Sequence, residues 1–309
     1  MTRANQKHGR TLLVTGASGF LGWHVCRVAA LSWNVVGTYC THATSIDGVA
    51  MHRLDLTGGE LTAFLNDLQP DTIVHAAALS QPNACESDPV ASERVNVVST
   101  QNIAEWCGKH DVPMVFTSSD LVFDGQHAPY DEASATEPAS IYGRHKLAAE
   151  EAVLSRVPAG VVCRLPLMFG DRDGAPASFI GPWLERLAKG EALTLFEDEI
   201  RTPVSGMVAA NGLLLALSKG ARGILHLGGG ERISRYAFGL KLAEIFGLSA
   251  TAIQKAKICD IKMSAPRPPD VSLDSGKAFA LGYAPGTLDM QLAAVRKSRS
   301  QAVDLDTSN

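Results

Sequence analysis

In the first half of the chain, short apolar runs alternate with longer segments whose apolar residues recur every three or four positions. Short continuous apolar runs are typical of parallel strands buried on both faces, and the longer spacing is typical of helices that pack against them. Strands are predicted at residues 11–14, 35–38, 72–75, 114–117 and 161–165, and helices at residues 20–31, 61–68, 91–109 and 141–154. This alternation predicts an α/β protein built on a doubly wound parallel sheet.

After Gly170 the pattern is less regular. A polar loop at 171–177 precedes predicted helices at 179–189 and 204–218, and a strand predicted at 223–227 is expected to return to the sheet. A helix at 236–246 and a proline-containing stretch at 265–273 complete a smaller C-terminal lobe. We therefore expect residues 1–170 to form the main domain, with 204–230 returning to it, and residues 171–203 and 231–297 to form the lobe. Residues 1–10 and 298–309 are expected to be solvated tails.

Charge and cysteine spacing narrow the functional class. Lys and Arg total 28 against 32 for Asp and Glu, so the net charge of −4 argues against a protein that binds nucleic acid or an acidic membrane surface. The six cysteines contain no CxxC pair, as is typical of reduced thiols in a cytoplasmic protein. No apolar run reaches the roughly 18 residues of a membrane span, and the polar first segment lacks the apolar stretch of a signal peptide. We expect a cytoplasmic globular enzyme.

No metal site is predicted from the sequence. None of the nine histidines form the HxH, HxxxH or HExxH spacing of metal ligands. His145 is expected on the exposed side of its helix, and the acidic run at 197–199 is expected to be a solvated loop.

A glycine-rich turn follows the first predicted strand and opens the first predicted helix. Its glycines recur as GxxGxxG. Gly16 permits a tight turn, Gly19 lets the backbone approach a pyrophosphate, and Gly22 lets the helix pack closely on the sheet. The helix N-terminus offers free N–H groups to the phosphates, so this turn predicts a dinucleotide site. The residues predicted to bind the cofactor here are Gly16, Ser18, Gly19, Phe20, Leu21 and Gly22.

The end of the second strand bears on which nicotinamide cofactor is bound. NAD sites usually place an Asp or Glu there, which accepts a hydrogen bond from the ribose 2′-hydroxyl. The segment at 36–42 has neither a carboxylate nor an arginine. We therefore favour NADP(H), with NAD(H) as the alternative, and Thr38, Thr41 and His42 are candidates for contacting a 2′-phosphate. Asp55 and Leu56, where a third strand is expected to end, are candidates for the adenine end, although Asp55 is equally suited to be a helix N-cap.

Tyr142 and Lys146 lie four residues apart, which places them on one face of the predicted helix. A tyrosine hydroxyl with a pKa near 10 exchanges protons poorly at neutral pH unless a cation lowers that pKa, and Lys146 is expected to be that cation. Ser119 ends the preceding strand, where its hydroxyl is able to donate a hydrogen bond to a carbonyl group that receives hydride. The three residues are candidates for a catalytic site at which a carbonyl group receives hydride.

These residues, with the segment at 118–125 (SSDLVFDG) and Pro129-Tyr130-Asp131-Glu132, resemble the extended short-chain dehydrogenase/reductase family, most of all its dTDP-4-dehydrorhamnose reductase branch. The resemblance covers nearly the whole chain. It implies a Rossmann-like doubly wound parallel sheet with a smaller C-terminal substrate-binding lobe. It also implies NADPH-dependent reduction of a nucleotide-activated 4-keto-6-deoxy sugar and a homodimer. Ser119 takes the place of the family's threonine, and Leu121 replaces the branch's tyrosine.

The resemblance assigns further residues individually. Asn96 is implied as a supporting residue on its helix, and Arg164 lies on a strand behind the nicotinamide. The two arginines at 201 and 267 are implied to bind the substrate diphosphate, the alternative being surface ion pairs. The remaining implied residues are Ala76, Ala77 and Ala78 along the cofactor, and Ser80, Asp120, Arg201 and Arg267 at the substrate.

Two other functions are compatible with the sequence. An NAD-dependent sugar-nucleotide epimerase would keep the same three residues, and Asp270 stands where epimerases often have Asp. A non-catalytic NADP-binding regulatory subunit, resembling that of methionine adenosyltransferase, would bind the cofactor and present its C-terminal lobe to a partner enzyme.

Overall fold

The structure is a computed structural model that describes residues 9–170 and 178–306, the last six by their backbone alone. The loop predicted at 171–177 and most of the first predicted tail lie outside the described residues. In chain order the strands are β1 Thr11–Thr15, β2 Asn34–Tyr39, β3 Val49–Arg53, β4 Thr72–His75, β5 Met114–Ser119, β6 Gly160–Leu165, β7 Met168–Phe169, β8 Leu193–Phe196, β9 Ile200–Arg201, β10 Val204–Ser205, β11 Gly223–His226, β12 Ile233–Ser234 and β13 Ile253–Ala256.

Helices cover both faces of the sheet and build most of the C-terminal lobe. They are α1 Phe20–Ala29, α2 Leu61–Leu68, α3 Pro82–Ser87, α4 Pro89–Glu93, α5 Ser99–Lys109, α6 Ile141–Arg156, α7 Ile180–Ala188, α8 Gly206–Ser218, α9 Arg235–Phe246, α10 Gly276–Ala280 and α11 Leu288–Asp306. A π-helical turn at Arg94–Val98 joins α4 to α5, and 3₁₀ turns occupy Asp120–Val122 and Ile258–Asp260.

Seven parallel strands form the main sheet in the order β11-β6-β5-β4-β1-β2-β3. The chain moves outward from β1 to β3 and then crosses back to β4 on the other side of β1, so the strand order reverses between β1 and β4. In sheets of this kind ligands bind outside the carboxyl ends of the strands at such a reversal. The predicted α/β, Rossmann-like fold is confirmed.

Two apolar layers hold the sheet. Helices α1 and α8 pack on one face, with Val25, Ala29 and Leu213 fully buried, and α2, α5 and α6 cover the other, where Leu65 and Ile103 are fully buried. Strand β11 pairs with β6 in parallel, so the chain rejoins the sheet after leaving it. In the C-terminal lobe, Phe169 and Phe238 meet edge to face, with a centroid distance of 5.3 Å, inside a separate cluster.

Two predicted chain segments differ from the structure. Ser298 and Ser300 are exposed as expected, but residues 298–306 are helical and end α11, whose first turns bury Leu288, Leu292 and Val295 against the lobe. The helix propagates from this packed start through a sequence with no apolar stripe of its own. The helix predicted from 204 begins at Gly206, because Ser205 is extended and its Oγ caps the helix by accepting from the Val208 N–H at 3.3 Å. Among the described residues no helix is long and apolar enough to cross a membrane.

Candidate active site

A cleft of about 850 Å³ runs along the carboxyl ends of the sheet strands. The glycine-rich turn lies at one end and the predicted substrate arginines lie at the other. Of the predicted site residues, His42, Asn96 and Arg164 do not line this cleft, and the others do. Those that line it are Gly16, Ser18, Gly19, Phe20, Leu21, Gly22, Thr38, Thr41, Asp55, Leu56, Ala76, Ala77, Ala78, Ser80, Ser119, Asp120, Tyr142, Lys146, Arg201 and Arg267. The fold therefore brings together residues that are up to 251 positions apart, the difference between 267 and 16.

The turn between β1 and α1 fits a dinucleotide pyrophosphate. Gly16 has φ of +68°, and a Cβ atom there would lie 2.6 Å from Ala77 Cα, so only glycine lets the two loops approach. Gly19 is the N-cap of α1 and provides no capping side chain, which leaves the first N–H groups of the helix free for an anion. Among the described residues that line this end of the cleft, the donors are backbone N–H groups and no side chain is cationic.

Asp55 lies on the wall of the cleft next to β2 and β3. Its Oδ1 accepts hydrogen bonds from Thr57 N at 2.9 Å and from Thr57 Oγ1 at 2.8 Å, and these bonds lower the pKa of the carboxyl group. The alternative role of Asp55 as cap of the following helix is wrong, because α2 begins at Leu61 with Glu60 at the N-cap position. Asp55 instead closes a local turn at the rim.

Helix α6 presents Tyr142 and Lys146 to the cleft. Ser140 caps the helix by accepting from Gly143 N at 3.1 Å, which fixes the first turn. Lys146 is 2% exposed, and its Nζ donates to the carbonyl oxygen of Thr117 at 2.8 Å. The same Nζ lies 5.9 Å from the centroid of the Tyr142 ring. The strand end and the helix therefore hold the ammonium group beside the phenol.

The pKa shifts of this pair differ from the sequence-based expectation. Burial raises the pKa of Tyr142 above its ordinary value of 10, and the nearby Asp120 carboxylate raises it further. Burial lowers the pKa of Lys146 to about 8, although Glu150 opposes the shift. The net shift of the Tyr142 pKa is upward, and the contribution that opposes it is a hydrogen bond to Ser119. A tyrosine that keeps its proton is suited to donate it.

Ser119 and Asp120 form a second polar group facing Tyr142. Ser119 Oγ donates to Asp120 Oδ1 at 3.1 Å and accepts from Leu121 N at 3.1 Å. Asp120 is 4% exposed; among the described residues its Oδ2 has no hydrogen-bond partner, and Arg201 Nε lies 3.6 Å from it. Burial raises the pKa of Asp120 to about 6, and Arg201 only partly opposes this. The cleft therefore contains a carboxyl group that titrates close to neutrality.

We expect Asp120→Asn to stabilise the protein at neutral pH. Because the folded-state pKa of about 6 lies above the ordinary 3.8, the folded protein holds this proton more tightly than the unfolded chain does, so stability is lost as pH rises from about 4 to 6. Asparagine removes that loss, which is on the order of 2–3 kcal/mol. Urea unfolding of the variant and its parent at pH 4.5 and 7.5 measures it. If the gain in unfolding free energy is the same at pH 4.5 and pH 7.5, this account is wrong. The control is Asp67→Asn, an exposed substitution on α2, which should change the unfolding free energy at neither pH.

The two predicted substrate arginines share one buried carboxylate. Glu199, 4% exposed, pairs with Arg201 Nη2 at 3.3 Å and with Arg267 Nη1 at 3.2 Å. The expectation that residues 197–199 form a solvated loop is therefore wrong for Glu199. A carboxylate is able to remain buried there because two guanidinium groups meet it. Arg201 is itself 5% exposed, while the Arg267 side chain is 35% exposed at the cleft.

Asn96 supports the cleft wall from behind and does not line the cleft. In the π-helical turn its Oδ1 accepts from Leu79 N at 2.9 Å, and its Nδ2 donates to Leu79 O at 3.1 Å and to Ser92 Oγ at 3.2 Å. These bonds fix the loop after β4. Ser92 Oγ also bonds His145 Nδ1 at 2.8 Å, so His145 is half-buried and not on an exposed face as predicted.

Sequence reasoning missed a buried ion pair beneath the cleft. Arg164 donates to both carboxylate oxygens of Glu150, at 2.7 Å from Nη2 to Oε2 and 3.0 Å from Nε to Oε1. Ser118 Oγ donates to the same carboxylate at 2.5 Å. Glu150 follows Lys146 by four residues, so the spacing 142, 146, 150 on one helix face was the signal available. Within residues 9–170 and 178–306, no three His, Cys, Asp or Glu side chains are grouped to hold a metal ion.

Comparison with known proteins identifies the family. The RmlD substrate binding domain family matches residues 10–297. The chain belongs to this family. The chain is 32% identical over 294 residues to the probable low-salt glycan biosynthesis reductase Agl14 of Haloferax volcanii, covering 93% of this chain and 97% of that protein. It is 30% identical over 285 residues to methionine adenosyltransferase 2 subunit beta of Xenopus tropicalis, covering 89% of this chain and 83% of that protein.

Solved structures agree with the fold. A hypothetical dTDP-4-dehydrorhamnose reductase from Sulfolobus tokodaii superposes with a TM-score of 0.82 at 30% identity, covering 92% of this chain and 98% of that one. The dTDP-4-dehydrorhamnose reductase of Bacillus anthracis, solved in complex with NADP, has a TM-score of 0.83 at 18% identity, covering 93% of this chain and 99% of that one. At this identity the likeness shows a shared fold and no more. The predicted family and the predicted class, an NAD(P)-dependent oxidoreductase, are confirmed.

Proposed function

We propose that this protein is an NADPH-dependent reductase of a nucleotide-activated 4-keto-6-deoxy sugar. The observation that carries the proposal is the meeting of Ser119, Tyr142 and Lys146 in one cleft, with the glycine-rich turn at its other end. The reductases among the similar proteins support the same class of substrate. We further propose that the sheet domain, with 204–230, holds the cofactor and that 171–203 with 231–297 holds the sugar nucleotide.

The cofactor end is assigned to residues of the described chain. The N–H groups of the glycine-rich turn would hold the pyrophosphate, Ala76 to Ala78 would lie along the dinucleotide, and Thr38 would lie near the adenosine. We propose NADP(H) over NAD(H), because no carboxylate ends β2 to accept from a ribose 2′-hydroxyl. When bound, the nicotinamide supplies the hydride.

The remaining chemistry is proton transfer and charge stabilisation by this chain's own residues. Tyr142, which burial keeps protonated, donates a proton to the oxygen of the substrate ketone. Ser119 Oγ donates a hydrogen bond to the same oxygen as negative charge develops on it. Lys146 is held by the Thr117 carbonyl, and its ammonium charge beside the phenol stabilises the tyrosinate that remains after the transfer.

The substrate end is assigned to the two arginines that share Glu199. A guanidinium group binds phosphate oxygens through two parallel N–H donors, so Arg267, partly exposed at the cleft, would meet the diphosphate first. Ser80 and Asp120 line the cleft nearer the reacting group and would contact the sugar. A homodimer and a cytoplasmic location complete the proposal.

The proposed function predicts NADPH consumption that depends on a 4-keto-6-deoxy sugar nucleotide. A dTDP-4-keto-6-deoxy sugar is incubated with the protein and NADPH, absorbance at the nicotinamide band is followed, and the product is analysed for a new secondary alcohol of single configuration. UDP-glucose, which offers no ketone, is the control. Interconversion of UDP-hexoses without net NADPH consumption would contradict the proposal and favour an epimerase.

A regulatory role is the second candidate, and the similarity to methionine adenosyltransferase 2 subunit beta favours it. Such a protein would bind NADP(H) and a catalytic subunit but would turn over no sugar nucleotide. Size-exclusion chromatography with a methionine adenosyltransferase catalytic subunit, beside the reductase assay, separates the two. The intact Ser119, Tyr142 and Lys146 favour the reductase.

A further inference from the structure

We infer that Arg53 selects NADP(H) over NAD(H) by binding the 2′-phosphate of the adenosine ribose. The inference rests on the proposed function, since it assigns a residue to the cofactor preference stated there. The segment that ends β2 holds no arginine. The cation comes instead from the neighbouring strand.

Strand pairing brings Arg53 to the end of β2. Strands β2 and β3 are parallel, and Arg53, the last residue of β3, is paired with Tyr39, the last residue of β2. Paired residues of neighbouring strands lie about 5 Å apart. The carboxyl ends of parallel strands lie at the same end of the sheet, so Arg53 lies at the end along which the cleft runs.

The guanidinium group of Arg53 is fixed against the cleft wall. Its Nε donates to the carbonyl oxygen of Cys40 at 3.2 Å. Cys40 and Thr41 line the cleft after β2, and Leu54 and Asp55 line it after β3, so the bond joins the two stretches of wall. A single hydrogen bond through Nε orients the guanidinium group and leaves its two Nη atoms for a ligand.

No described carboxylate forms an ion pair with Arg53, although Asp55 lies two residues away. The Asp55 carboxylate accepts both hydrogen bonds from Thr57 and is held in its own turn. Arg53 is exposed, and its charge contributes to lowering the pKa of the Asp55 carboxyl group without a salt bridge forming between the two. Two parallel N–H donors of a guanidinium match the oxygens of a phosphate, which the 2′-hydroxyl of NAD(H) does not offer.

Adenosine 2′,5′-bisphosphate and AMP test the inference directly, because they differ only by the 2′-phosphate. Isothermal titration calorimetry is performed on the parent, Arg53→Ala, Arg53→Lys and the control Arg10→Ala. Arg10 is an exposed arginine at the start of β1, at the opposite edge of the sheet, where it stacks on Trp33. NADPH and NADH are titrated by nicotinamide fluorescence alongside.

We expect Arg53→Ala to weaken binding of the bisphosphate and of NADPH by about tenfold or more, as loss of a charged hydrogen bond does, and to leave AMP and NADH within about twofold. Arg53→Lys should be intermediate, since it keeps the charge without the planar fork. Arg10→Ala should bind every ligand as the parent does. An unchanged ratio of bisphosphate to AMP affinity in Arg53→Ala, while the parent binds and oxidises NADPH, overturns this inference alone. A parent protein that binds neither NADPH nor NADH overturns the proposed function as well.

Discussion

Replacing Tyr142 by phenylalanine is expected to lower kcat for ketone reduction by about 10²–10⁴-fold, the range that one positioned proton donor contributes. The ring is 8% exposed and packed between α6 and the end of β5, so phenylalanine fills the same volume. The substitution removes only the hydroxyl. NADPH affinity and the melting temperature should therefore stay close to those of the parent, while turnover of the sugar nucleotide falls.

Two further variants serve as comparisons for Tyr142→Phe. Tyr236→Phe removes a hydroxyl from a tyrosine on α9 that does not line the cleft, and it should retain parental kcat. Ser119→Ala should lower kcat less than Tyr142→Phe, because it removes a hydrogen bond to the ketone oxygen and leaves the proton donor. Tyr142→Phe that retains kcat within threefold of the parent would refute the assignment of the proton donor.

The reason for expecting a large effect lies in the protonation state. Lysine beside tyrosine suggests a phenol with a lowered pKa, but burial and the Asp120 carboxylate raise the pKa of Tyr142 in this structure. A reductase needs a donor that is protonated before hydride arrives, and a phenol whose pKa is 10 or higher meets that condition at neutral pH.

The parts of the site that the sequence predicted are those encoded locally. The glycine-rich turn, and Tyr142 with Lys146, each lie within one turn or one helix, so spacing alone places their members together. The sheet was predictable for a similar reason, because each buried strand is a short apolar run. Helix α11 was not predicted, and its last turns were expected to be a tail, since they carry no apolar stripe and depend on the packing of the first turns.

The parts that were not predicted depend on which elements become neighbours. In the sequence, Glu199 is one residue of a short acidic run and is expected to be exposed. In the structure, β9 and the segment at 267–270 bring Arg201 and Arg267 to it. Arg53 reads as a surface residue until the register of β2 and β3 places it by Cys40. A charged residue is expected to be exposed unless the fold pairs it with an opposite charge from a distant segment. The spacing of apolar residues along the chain does not show which segments will be paired in this way.

Removing the carboxylate of Glu150 is expected to destabilise the fold more than any other single change in the site region. Arg164 is 2% exposed and donates to both oxygens of Glu150, and breaking such a buried pair from one side costs about 3–5 kcal/mol because the other charge stays buried without a partner. His226 offers no replacement, since burial and Arg164 lower its pKa to about 4 and leave it neutral. Urea unfolding of Glu150→Ala at pH 7.5 measures the loss.

Glu150 also acts on the cleft through Lys146. Its charge opposes the lowering of the Lys146 pKa by burial, so Glu150→Gln should take that pKa below about 8 and move the alkaline limb of the kcat profile to lower pH. Glu150→Gln/Arg164→Met, which removes both charges, should recover most of the unfolding free energy while the alkaline limb stays displaced. Glu151→Ala, an exposed change on the same helix, should alter neither quantity. If the unfolding free energy of Glu150→Ala lies within about 1 kcal/mol of that of the parent, then water or a rearrangement of Arg164 compensates the unpaired guanidinium charge. In that case the Glu150–Arg164 pair does not stabilise the base of the cleft.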